Sequence, residues 1–184
     1  MIISTARYAP GLSILALLGL AGCAGSVPKA SYSHPIATDA RIAANDQAVV
    51  SVDAADSAKM LSSDMQRLSE KIKLKIDARK LANASPAGDP GNYAVDVHVT
   101  RYEKGNAFAR AMLAGLGQIH LDATVSVYRM PAHTLVGEFQ LAKTFAWGGI
   151  YGASTSMDDI ENTFADGIAA SVTGQEEGPP KQKT

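Results

Sequence analysis

Residues 119–128 of the chain, IHLDATVSVY, alternate apolar and polar side chains along their whole length. Residues 93–100, YAVDVHVT, and residues 135–145, LVGEFQLAKTF, follow nearly the same pattern. Alternation with a period of two is typical of β-strands that bury one face and expose the other to water. The three stretches predict three strands of a mainly antiparallel sheet, the last two joined by a turn at residues 130–133. The apolar positions predict its buried face: Tyr93, Val95, Val97, Val99, Ile119, Leu121, Ala123, Val125, Val127, Leu135, Phe139, Leu141 and Phe145.

A further strand and a helix are predicted upstream of these three strands. Residues 48–52, AVVSV, are rich in β-branched side chains. Asp56 or Ser57 can cap the helix that follows. Apolar residues recur at helical spacing and form the predicted buried stripe of this helix: Leu61, Met65, Leu68 and Ile72. Residues 72–76, IKLKI, also fit a strand, but Ile76 extends this stripe and favours continued helix.

A second helix is predicted near the end of the chain. Ser156 can cap it, and Asp158 and Asp159 suit its first turn, where the helix dipole favours negative charge. Gly174 is expected to end it. Its buried stripe is Met157, Ile160, Phe164, Ile168 and Val172. The order strand–helix–strand–strand–strand–helix predicts an α+β two-layer sandwich, with helices on one face of a mainly antiparallel sheet.

The N-terminus resembles the signal sequence of a bacterial lipoprotein. Arg7 precedes an apolar run at residues 12–20, which suits a signal-peptide core and is shorter than the roughly 20 residues that span a bilayer. The following residues resemble a lipobox: Leu20, Ala21, Gly22 and Cys23. This resemblance predicts cleavage before Cys23, the only cysteine, and membrane attachment through lipid on that thiol. An ordinary signal peptide with an incidental cysteine is the alternative.

The position after Cys23 bears on which membrane holds the protein. In enteric bacteria an aspartate there favours retention at the inner membrane, whereas this chain has Ala24. An outer-membrane location facing the periplasm is therefore expected. The predicted organisation is a signal peptide at 1–22, a lipidated cysteine and flexible tether at 23–45, a globular domain at 46–174 and a disordered tail at 175–184.

Composition narrows the classes of function. The 184-residue chain has a formal net charge of −1 at pH 7, so no basic excess points to nucleic acid. With a single cysteine the chain can form neither an internal disulfide nor a thiolate metal cluster. The domain must therefore be held together by its core.

Two apolar, glycine-rich connections stand out. Residues 105–117, GNAFARAMLAGLG, join two predicted strands, and residues 144–152, TFAWGGIYG, precede the last helix. Both connections can fold back over the core, with their large side chains as fillers. Alternatively they form a patch that meets a partner, another copy or lipid. The side chains proposed for such contacts are Phe108, Arg110, Met112, Trp147 and Tyr151.

These connections also carry a family resemblance. Roughly residues 46–174 resemble a family of bacterial lipoproteins designated domain of unknown function 4410. The shared marks are Gly105, Asn106, Arg110, Gly115, Gly117, Gly148, Gly149 and Gly152. The family has no settled activity, so the resemblance implies an envelope lipoprotein and supplies no catalytic residues.

Residues suited to catalysis or metal binding are sparse. One possible strand register places His98 opposite Asp122, where the pair could orient a base or help bind a metal, or could simply be a polar cross-strand pair. The chain lacks G-x-S-x-G and H-E-x-x-H motifs. We therefore predict no catalytic residue, no metal and no cofactor. The expected partners are membrane lipid through Cys23 and an envelope protein or a second copy. The alternative is a small-molecule or metal site, possibly hydrolytic, on the polar sheet face around His98, His120 and Asp122.

Overall fold

The computed structural model describes residues 27–83, 89–113 and 116–175. The predicted signal peptide, the residues that resemble a lipobox with Cys23, and residues 176–184 of the tail predicted at 175–184 lie outside these ranges. The elements, in chain order, are β1 (Ser31–His34), β2 (Gln47–Ala54), α1 (Ser62–Lys80), β3 (Asn92–Glu103), α2 (Ala107–Met112), β4 (Ile119–Met130), β5 (Thr134–Phe145), α3 (Gly149–Ser154) and α4 (Met157–Thr173).

The sheet has five strands in the order β1-β5-β4-β3-β2. Three neighbouring pairs are antiparallel, and β2 and β3 are parallel. The parallel pair follows from α1, because a helix between two strands returns the chain to the end of the sheet from which it started. The predicted α+β fold with a mainly antiparallel sheet is confirmed, and the sheet is mixed at this one edge.

The core lies between one face of the sheet and the two long helices. In α1 the predicted stripe is confirmed for Leu68, Ile72 and Ile76, all fully buried. Residues 72–76 are helical, as the stripe favoured. The whole predicted stripe of α4 is buried, from Met157 to Val172. Ser156 and Asp159 form a reciprocal capping box, and Gly174 ends the helix with φ of 69°.

Three local predictions need correction. Asp56 begins a short 3₁₀ turn rather than α1, which starts at Ser62 after Leu61. Leu61 is consequently exposed, because it precedes the first turn that faces the core. Leu135 is also exposed, since β5 begins beside the hairpin turn and the β4–β5 register shifts between Val127 and Tyr128.

The segment predicted as a flexible tether belongs largely to the fold. Residues 31–34 form β1 along the free edge of β5, where the Tyr32 ring lies 5.3 Å from the Phe139 ring. Ile36 is buried against Gly137, where a side chain would leave it no room. Ile42 is fully buried as well. These apolar contacts move the start of the folded domain from residue 46 to before β1.

A buried carboxylate joins the two long helices. Glu161 in α4 is 0% exposed and accepts hydrogen bonds from Arg67 at 2.7 and 2.9 Å, Lys71 at 2.9 Å and the Tyr102 hydroxyl at 2.8 Å. Burial alone would raise the pKa of Glu161, but these three donors outweigh it and hold the pKa below its ordinary value. Asp64 accepts from Arg67 as well, which extends the network along α1.

We predict that Glu161→Gln destabilises the fold by about 1–3 kcal/mol, because a fully buried acceptor loses its charge and two charge-assisted hydrogen bonds are weakened. Arg67 and Lys71 then keep only their second partners, Asp64 and Asp158. A carboxyl whose pKa is lowered in the folded state stabilises that state above its ordinary pKa of 4.5, and this stability is lost as the pH falls through the lowered value. Urea unfolding at several pH values measures both effects. The variant should show a weaker loss of stability in acid than the wild type.

The matched control is Glu103→Gln, since Glu103 pairs with Arg101 on the exposed side of β3. It should leave the unfolding midpoint near neutral pH unchanged. Equal stability of the wild type and Glu161→Gln would show that the network contributes nothing.

Candidate contact surface on α2 and α3

The two short helices lie at the same end of the sheet. α2 belongs to the connection between β3 and β4, and α3 follows β5. At this end Glu103 pairs with His120, and Ile119 pairs with Phe145. The two helices also contact each other directly.

Large apolar side chains on these helices and their flanks are exposed. Phe108 is 73% and Ile150 is 92% exposed. Seven of the thirteen exposed large apolar side chains among the described residues fall in these two connections. We call this set the α2–α3 surface: Phe108, Met112, Leu113, Leu116, Trp147, Ile150 and Tyr151. The interpretation of Phe108, Met112 and Trp147 as core fillers is therefore wrong.

Arg110 holds the surface together from beneath. It is only 3% exposed, and its guanidinium donates to the carbonyl oxygens of Gly117 at 2.8 Å, Gly152 at 2.8 Å and Thr155 at 2.9 Å. The first carbonyl belongs to the β3–β4 connection, the second lies within α3, and the third directly follows α3. Arg110 was predicted to contact a partner, but its guanidinium points inward and joins the two connections.

Two glycines make this close approach possible. Gly117 has φ of +69°, a conformation that side chains disfavour, and its carbonyl accepts both from Arg110 and from the Asn106 amide. At Gly152 a Cβ atom would overlap the carbonyl oxygen of Trp147. Asn106 caps α2 by accepting from the Ala109 amide at 3.0 Å. Several of the residues that carry the family resemblance thus build the frame of the surface.

The histidines and aspartate considered for a second site are not brought together. His98 lies opposite Thr124, and its Nδ1 lies 2.7 Å from Asp53 across the parallel pair. Asp122 lies opposite Arg101, because the register shifts between Val99 and Arg101. The predicted register of His98 with Asp122 is therefore wrong.

His120, predicted on the wet face, is buried, and its Nδ1 lies 3.0 Å from the Thr144 hydroxyl. In the described ranges, no three His, Cys, Asp or Glu side chains are placed to share a metal ion.

Sequence reasoning singled out both connections but missed Leu113, Leu116 and Ile150 as exposed residues. Their signal is a run of apolar residues without the alternation of a strand or the long stripe of a packed helix. Residues 104–118 and 139–157 also contain no aspartate or glutamate. That absence distinguishes them from the ordinary charged surface of the domain.

We predict that Arg110→Lys loosens both connections without unfolding the sheet. A lysine ammonium cannot reach three separate carbonyls as the guanidinium fork does. Loss of even one hydrogen bond to a charged group removes about 1.5–3 kcal/mol of local stability, so amide hydrogen exchange at residues 105–113 and 147–155 should accelerate by about tenfold or more. Exchange measured by mass spectrometry tests this.

Arg101→Lys is the control, because Arg101 pairs only with the neighbouring Glu103 among the hydrogen bonds seen for its side chain. Unchanged exchange in Arg110→Lys would mean that the two connections are held by other contacts.

Comparison with solved structures shows the fold. Two structures of the PelC dodecamer from Paraburkholderia phytofirmans are similar to this chain. One, a point variant, is 11% identical with a TM-score of 0.53, over 82% of this chain and 99% of that chain. The other is 12% identical with a TM-score of 0.52, over 79% and 97%. No curated protein matches the chain in sequence.

A family model matches the chain from residue 35, earlier than residue 46, where the resemblance noted in the sequence begins. The match runs over residues 35–149 and includes the end of the segment expected to be a tether, in keeping with its place in the fold. It covers both connections of the α2–α3 surface up to the start of α3, and ends before α4. Since the matched region is more than half of the sequence, the chain belongs to the family described as Domain of unknown function (DUF4410).

Proposed function

We propose that this protein is a lipid-anchored bacterial envelope protein that works by binding, without catalysis, and that the α2–α3 surface is its contact surface. The observation that carries the proposal is the exposure of seven large apolar side chains on a frame fixed by buried Arg110. Concentrated exposed apolar side chains mark sites of protein or membrane contact. Arg110 itself supports the surface rather than touching the partner.

The placement of the charged groups supports binding over catalysis. An active site needs titratable groups that converge on a cleft. Here Glu161 is occupied by Arg67, Lys71 and Tyr102 between two helices. On the open sheet face, His98 contacts Asp53 at the exposed edge.

Attachment through Cys23 is the second part of the proposal. It is supported by the lipobox-like order Leu20, Ala21, Gly22 and Cys23 behind an apolar run. None of the helices among the described residues has the length and apolar character needed to cross a bilayer. With Ala24 after the cysteine, we propose the outer membrane, facing the periplasm.

Self-association is the third part. The similarly folded PelC forms dodecamers, as its structures are described. In this chain β2 is an edge strand, and Val49 on it is 71% exposed. Leu74 on the neighbouring α1 is also exposed. We propose that copies meet along this edge, where unpaired backbone groups and apolar side chains coincide.

Cys23→Ala tests the anchor. Wild-type protein from cells fed labelled palmitate should carry the label, show the intact mass of a lipidated chain and fractionate with outer membranes. The variant should lose label and membrane association together, because no thiol accepts lipid. An unlabelled, soluble wild type would refute the anchored function.

Val49→Lys tests the edge. A lysine there should reduce cross-linked oligomers by about fivefold or more, because charge on an edge strand opposes pairing. Leu135→Lys is the control, since Leu135 is exposed on β5, three strands away from β2. Oligomers that persist in Val49→Lys, or a wild type that is monomeric in the membrane, would exclude assembly along β2.

A further inference from the structure

We infer that the partner of the α2–α3 surface is the bilayer that carries the Cys23 lipid, so that Trp147, Ile150 and Tyr151 lie in its interface. This inference rests on the proposed anchor and names the partner of the proposed contact surface.

The described chain enters β1 from the end of the sheet at which the α2–α3 surface lies. β1 is antiparallel to β5, with Ser31 opposite Gln140 and His34 opposite Glu138. Residues before Ser31 therefore approach from the end at which β5 finishes, at Phe145. α3 begins only four residues beyond that end, at Gly149.

Before it leaves the described structure, the chain packs on α4 level with Leu141, four residues before the end of β5. Pro28 packs against α4 at Gly167, where an added Cβ would lie 3.0 Å from the Pro28 ring and 3.0 Å from the Leu141 side chain. Residues 27 and 23 are separated by four peptide units, which span at most about 14 Å when fully extended. Lipid on Cys23 would thus keep the domain against the membrane with its β5 end nearest.

The chemistry of the surface suits a lipid interface. Trp147 and Tyr151 are the residue types enriched where a membrane meets water, and Ile150, 92% exposed, lies between them. Residues 104–118 and 139–157 contain no carboxylate, so nothing there opposes an anionic lipid surface or must be dehydrated as an anion. Arg110 and Lys143, the buried cations of these stretches, do not stand between the apolar side chains and the bilayer.

A bilayer fits this position better than a second copy does. A short connection to a membrane-bound lipid holds the surface beside the bilayer at all times, so that weak contacts suffice. The edge strand β2, at the far side of the sheet from β1, remains free for contacts between copies.

Trp147 is the only tryptophan in the chain and reports directly on this contact. The lipidated full-length protein, purified from membranes in detergent, is reconstituted into vesicles of phosphatidylethanolamine and phosphatidylglycerol. Vesicles in which brominated acyl chains replace ordinary ones are compared with unbrominated vesicles. We expect bromine to reduce Trp147 emission by about twofold, because interfacial tryptophans lie within reach of the acyl chains.

The matched variants separate the surface from the anchor. Met112→Glu with Ile150→Glu alters two exposed side chains and should abolish the quenching while the protein still floats with the vesicles. Leu135→Lys, at the hairpin end of β5 and outside both proposed surfaces, should leave the quenching unchanged. Circular dichroism of each variant confirms that the fold is retained.

The outcomes distinguish the two proposals. A wild type that floats with the vesicles but shows no quenching retains its anchor, and this result overturns the membrane contact. Trp147 emission that instead shifts with the density of the protein in the vesicles would assign the surface to a second copy. Quenching that persists when Met112→Glu and Ile150→Glu are combined also overturns the membrane contact. A wild type that fails to float refutes the anchor, and the membrane contact with it.

Discussion

One buried guanidinium determines the arrangement of the two short helices, α2 and α3, at one end of the sheet. Arg110 donates to three backbone carbonyls that belong to two connections far apart in sequence. Carbonyls at the ends of short helices have few partners of their own, and burying them unpaired is costly. By satisfying all three at once, Arg110 keeps α2 and α3 side by side. The apolar side chains on their outer faces are exposed because their inner faces are already committed to this contact.

Two different kinds of interaction hold this end of the domain. Between α1 and α4, Glu161 accepts hydrogen bonds from three side chains, and the strength of this network depends on paired charge. Beneath α2 and α3, one cation meets neutral carbonyls, and the pairing depends on backbone geometry that Gly117 and Gly152 allow. The first arrangement fixes the frame of the fold, and the second places an apolar surface upon it.

The strands and long helices could be predicted because their signals are local. Alternation in β3 and β4 and the stripe of α4 directly reflect which face meets the core. β1 gave no such signal: its sequence SYSH has no alternating apolar face, and it is held by pairing with β5 and by the Tyr32–Phe139 contact. The register of His98 was also out of reach, since it depends on a shift between Val99 and Arg101. The apolar, glycine-rich composition of both connections was also visible in the sequence. Their outward orientation was not, because it depends on where Arg110 lies in the fold.

The folding of residues 31–45 onto the sheet changes how the protein can search its surroundings. A free segment from residue 23 to residue 45 could span up to about 75 Å, whereas the four peptide units between residues 23 and 27 could span at most about 14 Å. With the proposed anchor at Cys23, the volume open to the domain would scale with the cube of that radius, and would be smaller by about two orders of magnitude. Such a domain would stay close to the bilayer that holds its lipid. A soluble partner would then have to come to the membrane surface, and would meet the domain there in a restricted orientation.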